Sequence, residues 1–422
     1  MKQQSLKKQT AVTTCCNVMI RGLGFVLRVV TSRLLGPEAL GVMELAGQAH
    51  MLALTPAAGL PGAVSRMAAE GEEKEKVLRA ALRTALRLGL WLGAGLMLLS
   101  PLLARWMGEE RVLPSLVVFS PCILLIGLSG AYRGYSLGLG NAWPPALCEL
   151  TEQLVRLGCV LCMAWLASRL TVAWRAALPA AATVLGEGAG LALMAVWFSA
   201  GGREATGALQ KKLLRWAAPM TLNRLSHTLL RMLCSVMIPL RLCGAGLSHQ
   251  EAISRMGMLT GMVMPLLFLP GMFSGALGTV SIPAVAKCKS LARQRLLTLR
   301  LLAVAAAVGI ACSSVLHGLA PVIAVRVYRL PEVGPLLQAM CPLAVMLPVQ
   351  QVLSGVMVGM GLQRKSLYAS LLGAGATLVL TYIWAGDLRF GIYGAGYASI
   401  IGHLVQLLGS LISFLMYRRE AE

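Results

Sequence analysis

Apolar residues fill the chain in long runs, each about as long as the ~20 residues that cross a bilayer, separated by short charged or Pro/Gly-rich breaks. About twelve are predicted as helices, at 11–35, 39–65, 80–106, 112–139, 144–168, 172–199, 213–240, 252–283, 296–320, 333–361, 366–386 and 391–416. Two breaks fall inside runs, at Gly59-Leu60-Pro61-Gly62 and at Pro265 with Pro270-Gly271, and read equally as hinges or as kinks.

Composition agrees with this pattern. The 422 residues are 57% hydrophobic and 13% charged, with a mean hydropathy of +0.72, which a soluble surface does not tolerate. The expected fold class is therefore an all-α integral membrane protein. A formal charge of +21 fits basic loops better than a nucleic-acid surface, because no DNA- or RNA-binding motif accompanies it. With the N-terminus inside, Lys and Arg in the loops, Arg133 counted among the cytoplasmic ones, favour the cytoplasmic side by roughly two to one, which puts both termini in the cytoplasm. The eleven cysteines lie almost entirely in apolar runs; Cys159 and Cys162 form a CxxC without a second pair, so packing is expected and no metal or cofactor.

Six spans return a chain to its starting side, so two six-span lobes, 1–205 and 206–422, would form a parallel repeat about an axis along the membrane normal. RGYSLGLGN (133–141) matches SGVMVGMGL (354–362), and AVSR (63–66) matches AVAK (284–287), both at an offset of 221. Arg21 and Arg28 are spaced as Arg224 and Arg231 are, on the first and seventh spans. Each pair sits on one helix face, its members ~10 Å apart along the axis.

Arginine inside a span is costly and marks a bundle interior or a polar cavity. Four arginines favour an anion, and guanidinium groups grip a phosphate bidentately, so Arg21, Arg28, Arg224 and Arg231 are the candidate substrate-binding residues. Glu149, Glu152 and Arg156 follow at i, i+3 and i+7 in the fifth span. Glu152 and Arg156 have the spacing of an i,i+4 salt bridge, which would leave Glu149 to bind a proton; His227, on the face of Arg224 and Arg231, could titrate or simply support them. Ion coupling or gating is thus assigned to Glu149, Glu152, Arg156 and His227. Glu44, Gln48 and Glu187 are further polar positions within spans.

RVVTSRLLGPEALGVMELAGQ, GLPGAVSRMAAE and RGYSLGLGNAWPPALCELTEQLVRLG resemble the stage V sporulation protein B and polysaccharide-exporter branch of the multidrug/oligosaccharidyl-lipid/polysaccharide flippase superfamily. The resemblance implies two six-helix lobes in a V shape. It also implies alternating access and transport of an undecaprenyl-diphosphate-linked saccharide, a peptidoglycan, spore-cortex or other polysaccharide unit, across a bacterial cytoplasmic membrane. Membrane lipids, and cell-wall or sporulation enzymes, would be the partners. The alternatives are a cation-coupled multidrug exporter of the same superfamily and a membrane glycosyltransferase or polymer ligase. The last would need catalytic acids in a sizeable external loop, and the lone Asp387 sits in a short one.

The topology predicts that cysteines placed at Lys74 and Lys289 are labelled by an impermeant thiol reagent from the same side of the membrane. Labelling from opposite sides would exclude both the topology and the parallel repeat.

Overall fold

The chain's first break, Leu35-Gly36-Pro37-Glu38, bends one long helix, α1 (Leu6–Leu54), into two arms. Proline disfavours helical backbone in the residue before it and suits the first turn of the helix after it. Gly36 takes φ 72° and ψ 171°, a region that only glycine enters cheaply. The computed structural model describes residues 6–70, 74–198, 207–271, 274, 285, 290–387 and 389–417, and there is no strand among them.

After α1 and a 3-10 turn at Thr55–Ala57 come α2 (Leu60–Ala69), α3 (Lys74–Trp106), α4 (Leu113–Gly138), α5 (Trp143–Ala167) and α6 (Val172–Trp197). The second half holds α7 (Gly207–Gly244), α8 (His249–Gly271), α9 (Leu291–Val322), α10 (Val333–Met340), α11 (Pro342–Gly359), α12 (Gln363–Trp384) and α13 (Gly391–Leu415). Among the described residues ten helical segments are long and apolar enough to cross a membrane, and the first two expected spans are the arms of α1, the second continued by α2. Trp91, Leu98 and Val196 are each 80% exposed on such helices. Lipid, which does not penalise apolar surface, is the solvent in which they are stable, and the chain is a multi-pass membrane protein.

Two compact units divide the chain, Met1–Met232 and Leu233–Glu422, with α7 running across the boundary. In the first, Leu60, Val64, Met67, Leu78, Tyr132, Met194 and Leu213 form a buried cluster where α2, α3, α4, α6 and α7 meet. In the second, Leu353, Val356, Met357, Leu362 and Phe414 form another. There α8 contains a π-helical stretch at Met258–Val263 and a second such stretch, Ile323–Tyr328, follows α9. Widened turns leave carbonyls short of partners, and the Tyr328 hydroxyl donates to the Met262 carbonyl at 3.2 Å, joining the two stretches.

The repeat is visible in how helices end. Past α4, Gly140 has φ 73°, and past α11, Gly361 has φ 76°. At the first end Asn141 N–H donates to Ser136 O (3.0 Å) and Gly140 N–H to Leu137 O (2.9 Å); at the second Leu362 N–H donates to Met357 O (2.8 Å) and Gly361 N–H to Val358 O (3.1 Å). Both are glycine-capped Schellman ends, related bond by bond at the offset read from the sequence. The matching AVAK segment lies, apart from Val285, outside the described residues, as do Lys287 and Lys289. The tenth expected span, 333–361, is two helices instead of one. Pro342 follows Cys341 and starts α11, and the Cys341 carbonyl accepts a hydrogen bond from Ser313 Oγ at 2.9 Å.

A Cβ at Gly36 would meet nothing within 4 Å, so only the backbone conformation requires glycine there. Gly36→Ala should therefore lower stability by about 1–3 kcal/mol in thermal unfolding of the detergent-solubilised protein. An unchanged midpoint would show that α1 rebuilds its bend at no cost.

Candidate functional site

Polar side chains converge inside the first unit. Arg28, on the first arm of α1, pairs with Glu44 on the second, across the Gly36 bend. Arg133 of α4 pairs with Glu152 of α5 and lies 3.9 Å from Glu187 of α6, while Arg156 of α5 pairs with Glu187. Glu152, Arg133, Glu187 and Arg156 thus form one alternating chain of charge across three helices. A buried charge is tolerated when it is paired, and here each carboxylate meets a guanidinium.

Glycines on α6 let these groups approach. A Cβ on Gly186 would press on Arg156 Cγ at 2.7 Å, and one on Gly190 would collide with the Glu152 carboxylate and lie 2.9 Å from Cys148 Sγ. Gly186 and Gly190 form the small-xxx-small spacing through which membrane helices pack closely. Cys148 Sγ completes the surroundings of Glu152, 3.2 Å from its Oε1 and 3.3 Å from the Gly190 carbonyl.

Both arms of α1, with α4, α5 and α6, enclose a cavity of about 510 Å3. Its wall carries Arg28, Glu44, Arg156 and Glu187, the polar Thr31, Gln48, His50, Gln153 and Thr183, and apolar surface from Leu27, Met43, Phe119 and Ile126. The His50 ring stacks on Phe119, centroids 4.5 Å apart and planes 18° from parallel.

Of the four arginines expected to bind substrate, Arg28 lines this cavity. Arg21 on α1 and Arg224 and Arg231 on α7 are exposed and stand outside its wall. His227 is half-buried on α7. Glu149 is half-buried on α5 and forms no ion pair among the described residues. Two expectations need correction. The Glu152–Arg156 bridge does not form, because partners on α4 and α6 lie closer than one helical turn along α5. Arg133, assigned to a cytoplasmic loop, is inside α4, five residues before its end, and is the central cation of the network.

Arg133 left no sequence signal apart from its distance to the helix end. Glu44 and Glu187 were visible as polar positions within spans, but their partners are 16 and 31 residues away, beyond any helical spacing rule.

A second cluster closes one end of the unit. Arg111 makes two bonds to Glu109, each 2.7 Å long, and pairs with Glu38 in the first turn of the second arm of α1.

Residues 6–289 match the family model described as "Polysaccharide biosynthesis protein". Stage V sporulation protein B of Bacillus subtilis (strain 168) is 25% identical over 433 residues, covering 97% of this chain and 83% of that protein. The fold is shared with the inward-facing conformation of a multidrug resistance MATE family transporter of the MOP superfamily (TM-score 0.76, 19% identity, 96% of each chain). It is shared also with lipid II flippase MurJ in an inward closed conformation (TM-score 0.78, 14% identity, 97% of this chain and 88% of that one).

Removing one member of a buried pair strands its partner at a cost of about 3–5 kcal/mol, whereas replacing both by apolar groups is often neutral. Arg133→Met alone should therefore lower thermal stability by that amount, and Arg133→Met with Glu152→Leu should recover most of it. Additive losses in the double variant would show that the two groups are not coupled.

Proposed function

The chain belongs to the polysaccharide biosynthesis protein family, and on that premise we propose that it is a flippase of the MOP superfamily that moves an undecaprenyl-diphosphate-linked saccharide between the leaflets of a bacterial cytoplasmic membrane. The names of two relatives, a stage V sporulation protein and a lipid II flippase, support a cell-wall or spore-cortex precursor as cargo. Both termini face the cytoplasm in this reading. The lipid tail stays in the bilayer, and the charged head crosses through a polar interior by alternating access.

The observation that carries the reading is the Arg28–Glu44 pair across the bend of α1. A diphosphate offers Arg28 two acceptor oxygens in the geometry its planar fork prefers. By taking the guanidinium it releases Glu44 and with it the tie between the two arms. Cargo thereby favours one arrangement of α1 over another, which is the differential interaction that a conformational cycle requires. Arg21, Arg224 and Arg231, exposed on α1 and α7, are assigned to capture of the same diphosphate. Glu152 and Arg156, with Glu187 and Arg133, are assigned to coupling. Each proton or cation that enters this balanced network must displace an existing partner. Glu149 and His227 stand beside that role, as polar positions of α5 and α7.

Depletion of the protein should cause a lipid-linked saccharide to accumulate on the inner leaflet, measured by extraction and mass spectrometry with a leaflet-selective reagent. Arg28→Ala should fail to relieve the accumulation and should weaken lipid-diphosphate binding by about 10- to 100-fold, the loss expected for a charge-assisted hydrogen bond; Arg28→Lys should recover part of it. Drug resistance on expression, without accumulation of any lipid-linked sugar on depletion, would support a multidrug exporter instead.

A further inference from the structure

The cavity of the first unit holds more polar capacity than its ion pairs use. Gln48 and Gln153 line it, and neither side-chain amide has a hydrogen-bond partner among the described residues. His50, also on the wall, is only 2% exposed, and its Nδ1 has no partner among the described residues. An unmet buried acceptor or donor is unfavourable, and the His50 imidazole is one. With two half-buried amides free on the same wall, it marks a place where a guest supplies the missing bonds.

Charge, size and surface define the guest. Arg28 with Glu44 and Arg156 with Glu187 cancel on the wall; once the diphosphate has taken the Arg28 guanidinium, the amides and the imidazole that remain offer a guest neutral donors and acceptors. About 510 Å3 lies within the roughly 300–1,000 Å3 of sites that enclose a small molecule. Apolar surface from Leu27, Met43 and Phe119 alternates with the amides and the imidazole, which suits a sugar ring with C–H faces and hydroxyl edges. Stacking on Phe119 fixes the imidazole plane, so His50 meets a guest in a set orientation. Gly47 on the wall leaves open space, with nothing within 4 Å of an added Cβ.

We propose that this cavity binds the uncharged saccharide portion of the cargo, with Gln48, His50 and Gln153 reading its hydroxyl and amide groups. The inference rests on the reading of the cargo as a lipid-linked saccharide. It divides recognition, with the diphosphate drawn to the arginines and the sugar held by neutral groups beside them.

The test uses the full chain in lipid nanodiscs and two probes, undecaprenyl diphosphate carrying an N-acetylglucosamine disaccharide and undecaprenyl diphosphate alone. Gln48→Leu, Gln153→Leu and His50→Phe should each weaken binding of the sugar-bearing lipid about tenfold or more, because a site built to hydrogen-bond discriminates strongly when its partner is lost. Binding of the bare lipid should be unchanged. Gly47→Leu, which fills the cavity and removes no hydrogen bond, should have the same selective effect and serves where a polar substitution fails to fold. Equal losses for both probes, or no loss for either, would overturn the inference while leaving the flippase reading intact; the second result would mean that the cavity is only hydrated. A wild-type chain that binds neither lipid would overturn the cargo reading and this inference together.

Discussion

Charge inside a membrane protein must be cancelled where it stands, and that requirement organises the first unit. Removing an ion from water costs several kcal/mol even after relaxation, and lipid supplies no compensating dipoles. Glu152, Arg133, Glu187 and Arg156 satisfy it by alternation across α4, α5 and α6. The close seat of α5 on Gly186 and Gly190 of α6 follows from the same need, because a Cβ there would displace the charged side chains. Removal of a single charge is therefore felt across three helices.

The fold was legible because lipid imposes a simple rule on sequence. An apolar run of the right length becomes a helix, and a charged or Pro/Gly-rich break becomes an end or a bend. The Gly-Pro step at 36–37 and the glycine ends at 140 and 361 could be read almost residue by residue. The division of the tenth span at Cys341-Pro342 was less visible, since Pro at the first turn of a helix and Pro within one look alike in a sequence.

The site was legible only in part. Arg28, Glu152 and Arg156 stand out as charges in apolar runs, but their partners cannot be inferred from spacing. The i,i+4 rule describes helices in isolation, and in a bundle a neighbouring helix can offer a nearer partner, as α4 and α6 do to α5. Arg133 was misplaced because loop-charge counting assigns any cation close to a loop to that loop, although it still had five residues of α4 after it. His50 carries no charge pattern at all; its place emerges only when Phe119 and the cavity wall are in view.

The Arg28–Glu44 pair also bears on how the protein is made. Its partners are 16 residues apart and belong to the two arms of one helix. They can meet once the first hairpin has left the ribosome and before any later helix exists. Intramembrane charge is a barrier to insertion, on the order of 2.5–3.5 kcal/mol for an arginine at mid-span. A hairpin that neutralises its own arginine enters the bilayer with that barrier lowered. The Arg133 network, spread over α4, α5 and α6, has to wait for its third helix. Synthesis of the first unit thus has a built-in order, in which the ion pair across the bend can close before the helices that surround it arrive.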